Sequence, residues 1–377
     1  MRKIMSVILF SLLALTCADA QTATSALERL DRSIDAARQT AKVPGINVAI
    51  GRVGSDGVGK VVYERGFGLA DVENGVKATV QTRFRTASIA KPMTAVAVMQ
   101  LAERGKLDLD TPFREIYPKW PKKRWPLTCQ QLLGHLGGIR HYNRAGEASG
   151  TKSYVTLEAS LDCFKADRLM HEPGTAYLYT TYGFTLLGVA VEQASGIDFV
   201  AYLQRHIWDV AGMKHSCVDN HLRLMPHRAR GYQILDRRTY AALPAPARRL
   251  VERGAVINCS MHDTSMKIPG GGLRSTASDL VRFGMALIGH KLIKPKTRAR
   301  MWTKQRLKGG KTTSYGLGFR VAMRKGALRI SHSGGQAGTT CYLVILPEEG
   351  IVVSVMSNLR SAKLKPILDL LLTAAPA

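Results

Sequence analysis

Phe84-Arg85-Thr86-Ala87-Ser88-Ile89-Ala90-Lys91-Pro92-Met93-Thr94-Ala95 is the stretch on which the reading turns. Ser88 and Lys91 stand three apart, and residues three apart on a helix share a face. That places the lysine amine beside the serine hydroxyl, which is a weak nucleophile until a base takes its proton. From Ser88 to Arg104 the chain is apolar almost all round until Gln100, as in a helix buried on most faces, and Gly105 ends it. Pro92 falls in the first turn, where its missing N–H costs little. Burial in such a helix lowers the pKa of Lys91 toward that of a base. A serine at a helix start also lies among unpaired backbone N–H groups, which favour a developing oxyanion. The spacing alone is not specific. Ser149-Gly150-Thr151-Lys152 repeats it in a glycine-rich polar stretch with no helix behind it, and reads as a loop.

Upstream, Leu27, Leu30, Ile34 and Ala37 recur at helical spacing and predict a helix over 25–42, stopped by Val43-Pro44-Gly45. Ile46, Val48 and Ile50 alternate as in a strand, and a turn at 54–59 leads to a second strand over 60–67. From 111 to about 261 the pattern is mostly helical segments and loops, clearest at 183–194 and 198–210. Gly270-Gly271-Gly272 reads as a tight turn before a helix at about 276–288. The C-terminal part then predicts strands at 316–322, 328–331, 340–346 and 351–356, a hairpin loop at 347–350, and a last helix from about 362. The economical arrangement is an α/β fold of α+β type. Its N- and C-terminal strands share one antiparallel sheet flanked by helices, the helical middle forms an inserted lobe, and a cleft lies between them.

The 377 residues, 45% hydrophobic and 22% charged, exclude a disordered or fibrous chain. The unusual number is a formal charge of +26, from 54 Lys+Arg against 28 Asp+Glu. The basic residues are dispersed. The densest cluster, Lys119 to Arg124, is interrupted by Trp120 and Pro121, and no nucleic-acid module signature accompanies it. No specific nucleic-acid partner is expected, and an anionic envelope polymer or membrane surface is at least as good a partner for the charge. Residues 1–20 read as a signal peptide: Arg2 and Lys3, an apolar run from Ile4 to Leu15, then Ala18-Asp19-Ala20 before Gln21. Lipid attachment at Cys17 is the competing reading, and Ala14-Leu15-Thr16 fits it poorly. The expected destination is the periplasm or the exterior, with residues 21–377 as one domain and no transmembrane segment after signal removal. Five cysteines remain (Cys129, Cys163, Cys217, Cys259, Cys341), an odd number for which no pairing can be deduced. Cys217 and His221, with His215, His227, Cys259 and His262 nearby, form a loose cluster that no C-x-x-C or H-E-x-x-H accompanies, so no metal or cofactor is expected.

Other motifs fail. Gly310-Lys311-Thr312 lacks the upstream glycine of a phosphate loop, because Gln305 stands there. Residues 54–59 do not fit the dinucleotide fingerprint, and no G-x-S-x-G elbow is present.

The context of Ser88 is more informative. Gly105-Lys106-Leu107-Asp108-Leu109-Asp110, Leu132-Leu133-Gly134-His135-Leu136-Gly137-Gly138-Ile139, Glu172-Pro173-Gly174-Thr175, Tyr179-Thr180-Thr181, Gly271-Gly272-Leu273-Arg274-Ser275-Thr276, Tyr315-Gly316-Leu317-Gly318-Phe319 and His332-Ser333-Gly334-Gly335 follow in order. With the Ser88 segment, this series resembles the serine beta-lactamase and penicillin-binding-protein superfamily, class C branch, over about Val43 to Asn358. The resemblance implies Ser88 as nucleophile, Lys91 as base and Tyr179 as a proton carrier acting as a phenol or as a phenolate, the latter helped by Lys91 as a positive neighbour. It implies an oxyanion hole from the backbone N–H groups of Ser88 and Gly335. Thr181, His332, Ser333, Gly334 and Gly335 would meet the substrate, and His135 would be framework. Thr181 stands where the family usually has asparagine, and one hydroxyl cannot imitate an amide. His332 stands in place of a lysine and would carry charge only when protonated. The implied activity is an exported serine hydrolase that forms an acyl-enzyme with an amide or ester, a small molecule or peptide. Peptides containing D-amino acids are expected ahead of beta-lactams. A class C beta-lactamase or carboxylesterase is the alternative, and an inactive cell-wall-peptide-binding or self-assembling relative is another.

Overall fold

The computed structural model describes residues 26–375 apart from 145 and 149. The leader-like segment 1–20 and the second candidate serine, Ser149, therefore lie outside the described residues. A seven-stranded antiparallel sheet is built from both ends of the chain. Its strands are β1 (Gly45–Val53), β2 (Gly59–Asp71), β3 (Val76–Lys77), β4 (Arg320–Arg324), β5 (Ala327–Gln336), β6 (Thr339–Leu346) and β7 (Ile351–Ser357). Their order is β3-β2-β1-β7-β6-β5-β4. The join between the two halves is β1 against β7, with Ile46 opposite Ser357 and Arg52 opposite Ile351.

Alternation sorts the strand residues onto two faces. Ile46, Val48, Ile50, Val353 and Val355 face a core shared with Ile34, Ile367 and Leu371. These come from helix α1 (26–40) and from the helix Lys365–Ala374. Ala49, Val352, Leu343 and Ile330 face the larger core, with Val281 and Leu280 of the helix Ala277–Ile288 and the residues of the lobe. Thr276 opens that helix by accepting from the Asp279 N–H.

At the centre of the lobe are α2 (Ala90–Glu103) and α3 (Tyr182–Ser195), packed on each other. α2 is buried at every position from Ala90 to Leu101, as its unbroken apolar run requires. Three local expectations change. Ser88 sits in a 3-10 turn, Ala87–Ile89, just ahead of α2. The predicted helix 198–210 is interrupted by a π turn, Gln204–Trp208. The predicted strand 316–322 begins only at Arg320. Before it the chain turns tightly, with Gly318 at φ 83° and so close to α2 that a Cβ would lie 2.3 Å from Ala95 Cβ. All five described cysteines are free. No single helix among the described residues is long and apolar enough to cross a membrane.

Candidate active site

The candidate nucleophile is held by a short three-stranded sheet. Phe84–Arg85 pairs with Leu273–Ser275, which also pairs with Cys217–Val218. Beneath it, Arg85 and Arg274 converge on the buried Asp219, with Arg85 Nε 2.7 Å from Asp219 Oδ2. Arg85 also donates to the carbonyls of Ala337 (3.2 Å) and His262 (3.0 Å). The chain then kinks: Ala87 has φ 44°, a backbone conformation that costs an alanine about 1–3 kcal/mol. This kink turns Ser88 into a cleft of about 550 Å³. β5 passes close behind. A Cβ on Gly334 would lie 2.3 Å from Thr86 O and 2.5 Å from Cys341 Sγ, so only glycine lets the strand approach the nucleophile turn.

Lys91 is buried. Its Nζ lies 2.9 Å from Ser88 Oγ, 2.7 Å from Gly270 O and 3.2 Å from Thr181 Oγ1. Burial, helped by the charge of Lys267, holds its pKa well below the usual lysine value. A neutral amine has two N–H bonds and one lone pair. With Gly270 and Thr181 accepting the two N–H bonds, the lone pair is left for the Ser88 hydroxyl. Gly270 must be glycine here, because a Cβ would meet Thr181 Cγ2 at 2.6 Å.

Tyr179 completes the group. Its ring centroid is 4.9 Å from Lys91 Nζ, and its hydroxyl is hydrogen-bonded with Ser88. Burial raises its pKa, only partly opposed by that hydrogen bond, so the side chain is a neutral phenol. Of the two expected forms, phenol and phenolate, burial favours the phenol, because desolvation outweighs the hydrogen bond with Ser88. Thr181 is tied in from both sides, accepting from Lys91 and donating its N–H to His141 Nδ1 at 3.3 Å. Ser333, Gly334 and Gly335 form the facing wall of the cleft. Gly335 has open space where a Cβ would be.

His332 departs from its expected place. It is only 3% exposed, and both ring nitrogens are used inside the protein: Nδ1 2.8 Å from Ser333 O and Nε2 2.8 Å from Tyr315 Oη. Nδ1 therefore carries the proton, and Nε2 accepts from the tyrosine hydroxyl. Burial, with Lys91 nearby, lowers its pKa to about 3. It is a neutral support behind the strand, and a histidine-driven pH switch in substrate binding near neutrality is not expected. His135 is framework at close quarters. Its buried ring packs, tilted, against Tyr179 at 4.3 Å and Tyr315 at 4.7 Å between centroids, and its Nδ1 accepts the Thr180 N–H.

Buried neutral histidines have a consequence for acid stability. Burial lowers His135 well below its usual value, His141 to about 4, and His262 and His332 to about 3. Between those values and about 6.5 the unfolded chain binds more protons, so stability rises with pH there and is lost as pH falls. Each ring contributes up to about 1.4 kcal/mol per pH unit within its window. The urea midpoint is expected to drop steadily from pH 7 to pH 4.5, and a flat midpoint would contradict these assignments.

Lys267, Gln336 and Tyr142 are among the cleft residues that the sequence pattern did not single out. Lys267 lies only three residues before Gly270, so its proximity to the glycine motif was the available signal. Among the described residues, no group of three or more His, Cys, Asp or Glu side chains could hold a metal ion.

The protein-family profile described as Beta-lactamase matches residues 30–374. The human mitochondrial serine beta-lactamase-like protein LACTB is 29% identical, with 81% of this chain and 72% of that protein covered. Penicillin-binding protein 4* of Bacillus subtilis is also 29% identical, over 76% of this chain and 63% of its own. Among solved structures, the octameric penicillin-binding protein homologue from Pyrococcus abyssi superposes with a TM-score of 0.74 at 27% identity, covering 92% of this chain and 76% of that one. The D-amino acid amidase from Ochrobactrum anthropi SV3 gives 0.74 at 22% identity, over 91% and 98%, and shares the fold. A match across nearly the whole described chain, on this sheet and these flanking helices, shows that the protein belongs to the Beta-lactamase family of serine hydrolases.

Proposed function

We propose that the protein is an exported hydrolase in which Ser88 forms an acyl-enzyme with an amide or ester and water then releases the acid. The observation that carries this reading is the buried Lys91 amine, its pKa held well below the usual lysine value by burial, 2.9 Å from Ser88 Oγ. Ser88 Oγ bonds to the substrate carbonyl carbon as its proton passes to Lys91. The oxyanion is held by the N–H groups of Ser88 and Gly335. Tyr179, a phenol within reach of Ser88, relays a proton to the departing amine or alcohol. In the second half, water adds to the acyl carbon, gives up its proton by the same route, and Ser88 leaves with its own restored.

Peptides, including those with D-amino acids, are the preferred substrate class. The shared fold of the D-amino acid amidase and the relation to penicillin-binding protein 4* support this. Thr181 favours esters and peptides over beta-lactams, because its hydroxyl is occupied by Lys91 and offers no amide contact. The leader-like segment supports export to the periplasm or exterior, and residues 21–377 act as one domain. The test is intact-mass analysis after exposure to a fluorophosphonate, activated esters, D-amino-acid amides and a penicillin. One adduct on the Ser88 peptide is expected, and Ser88→Ala should remove it together with at least about 10³-fold of the turnover. Adducts on Ser149, or full activity in a folded Ser88→Ala protein, would overturn Ser88 as the nucleophile, and neither adduct nor turnover with any of these probes would favour a non-catalytic peptide binder.

A further inference from the structure

Lys267 is the unexplained group in the cleft. It is 2% exposed, lines the same cavity as Ser88, and makes no ion pair among the described residues. Its ammonium has a long 3.4 Å contact to Ala148 O and lies 5.3 Å from the Tyr142 ring centroid. The nearby carboxylates are engaged elsewhere: Asp219 with Arg85 and Arg274, and Asp263 with Ser153, Ser265 and His221. A buried ammonium without a counter-charge is costly, and that cost falls when an anion arrives. The cleft wall is one-sided in charge. It contains Lys267 and Arg360 and no aspartate or glutamate. Gln336 adds a carboxamide nitrogen in the wall with no hydrogen-bond partner.

We infer that Lys267 is the specificity-determining anchor for a negatively charged group on the substrate, so that the preferred acyl donor carries a carboxylate. This rests on the acyl-transfer reading above and assigns to Lys267 the task that the buried, neutral His332 does not perform. Arg360, exposed at the rim, draws the same charge toward the cleft.

The anchor is pH-sensitive. Lys267 is surrounded by Lys91, His141, Tyr142, His262, Arg85, Asp219 and Asp263. Burial first, then Arg85, lowers its pKa to about 7, against the opposing pull of the two aspartates. Anion binding is therefore strongest below pH 7 and fades as pH rises through that value. A substrate without charge shows no such dependence in KM.

The experiment uses two matched pairs. Mono-4-nitrophenyl glutarate and its methyl ester place the charge on the acyl side, and 4-carboxyphenyl acetate and its methyl ester place it on the leaving side. At pH 6 the charged member of one pair is expected to have a KM at least about 10-fold lower, with that advantage shrinking by pH 8.5. Lys267→Met should abolish the advantage and leave the KM of the neutral member unchanged. Lys267→Arg should keep it and remove its pH dependence, since a guanidinium does not titrate in this range. Equal KM values within both pairs in the wild type, or a preference that survives in folded Lys267→Met, would overturn the inference. The wild-type comparison decides the matter if that variant does not fold. Fluorophosphonate, a neutral probe, separates the two failures. Labelling of Ser88 without charge preference removes this inference alone, whereas no labelling removes the acyl-transfer reading and this inference with it.

Discussion

Lys91→Met is expected to lower kcat/KM for an activated ester by at least about 10³-fold while the protein remains folded. The methionine keeps the length and apolar body of the side chain and removes the only amine in contact with Ser88 Oγ among the described residues. The loss should fall on acylation: the burst of product expected of the wild type should disappear, with substrate affinity little changed. Stability should move the other way. Lys91 is buried with burial as the main force on its pKa, so its replacement by an apolar group relieves a desolvation cost. A more stable and nearly inactive protein is the expected pattern, as at other sites where function opposes stability. A folded Lys91→Met protein with wild-type acylation would show that another group serves as base.

Asp219→Ala should be the most damaging change to stability, at about 3–5 kcal/mol, because it strands the buried Arg274 guanidinium and the partly buried one of Arg85. Burial alone would raise the Asp219 carboxyl, but Arg274 and Arg85 pull it down to about 2. A carboxyl lowered in this way stabilises the fold above about pH 4 and loses that contribution as pH falls toward 2. Activity should fall with stability, since Arg85 leads directly into the kink at Ala87 that presents Ser88. Urea denaturation of the variant at pH 7 measures the effect, and a midpoint close to that of the wild type would show that the two arginines find other partners.

Much of the architecture was legible because it rests on short-range periodicity. The alternation of Ile46, Val48 and Ile50 and the apolar run of α2 each point to one solution, and the two ends of the chain meet in one sheet as expected. The order of motifs around Ser88 was enough to bring Lys91, Tyr179 and Thr181 into one candidate site. What the residues alone could not carry was burial and long-range pairing. His332 looks like a substrate ligand by position, yet Tyr315, which closes its ring behind the strand, comes from a separate turn. Lys267 looks like an ordinary surface lysine until the lobe folds over it. The strand predicted at 316–322 fails because Gly316 and Gly318 serve close approaches to Met301 and α2, which local alternation does not encode.

The pairing of β1 with β7 also has a kinetic side. Ile46 and Ser357 are neighbours in space and distant along the chain, so the centre of the sheet closes one of the longest loops the protein contains. Until β7 has emerged, the β1–β2 hairpin carries an unpaired inner edge and an apolar face with nothing to cover it. Such a topology delays cooperative folding until nearly the whole chain is present. It thereby leaves an interval in which the polypeptide is extended, sticky and open to capture by a chaperone or a translocation machine.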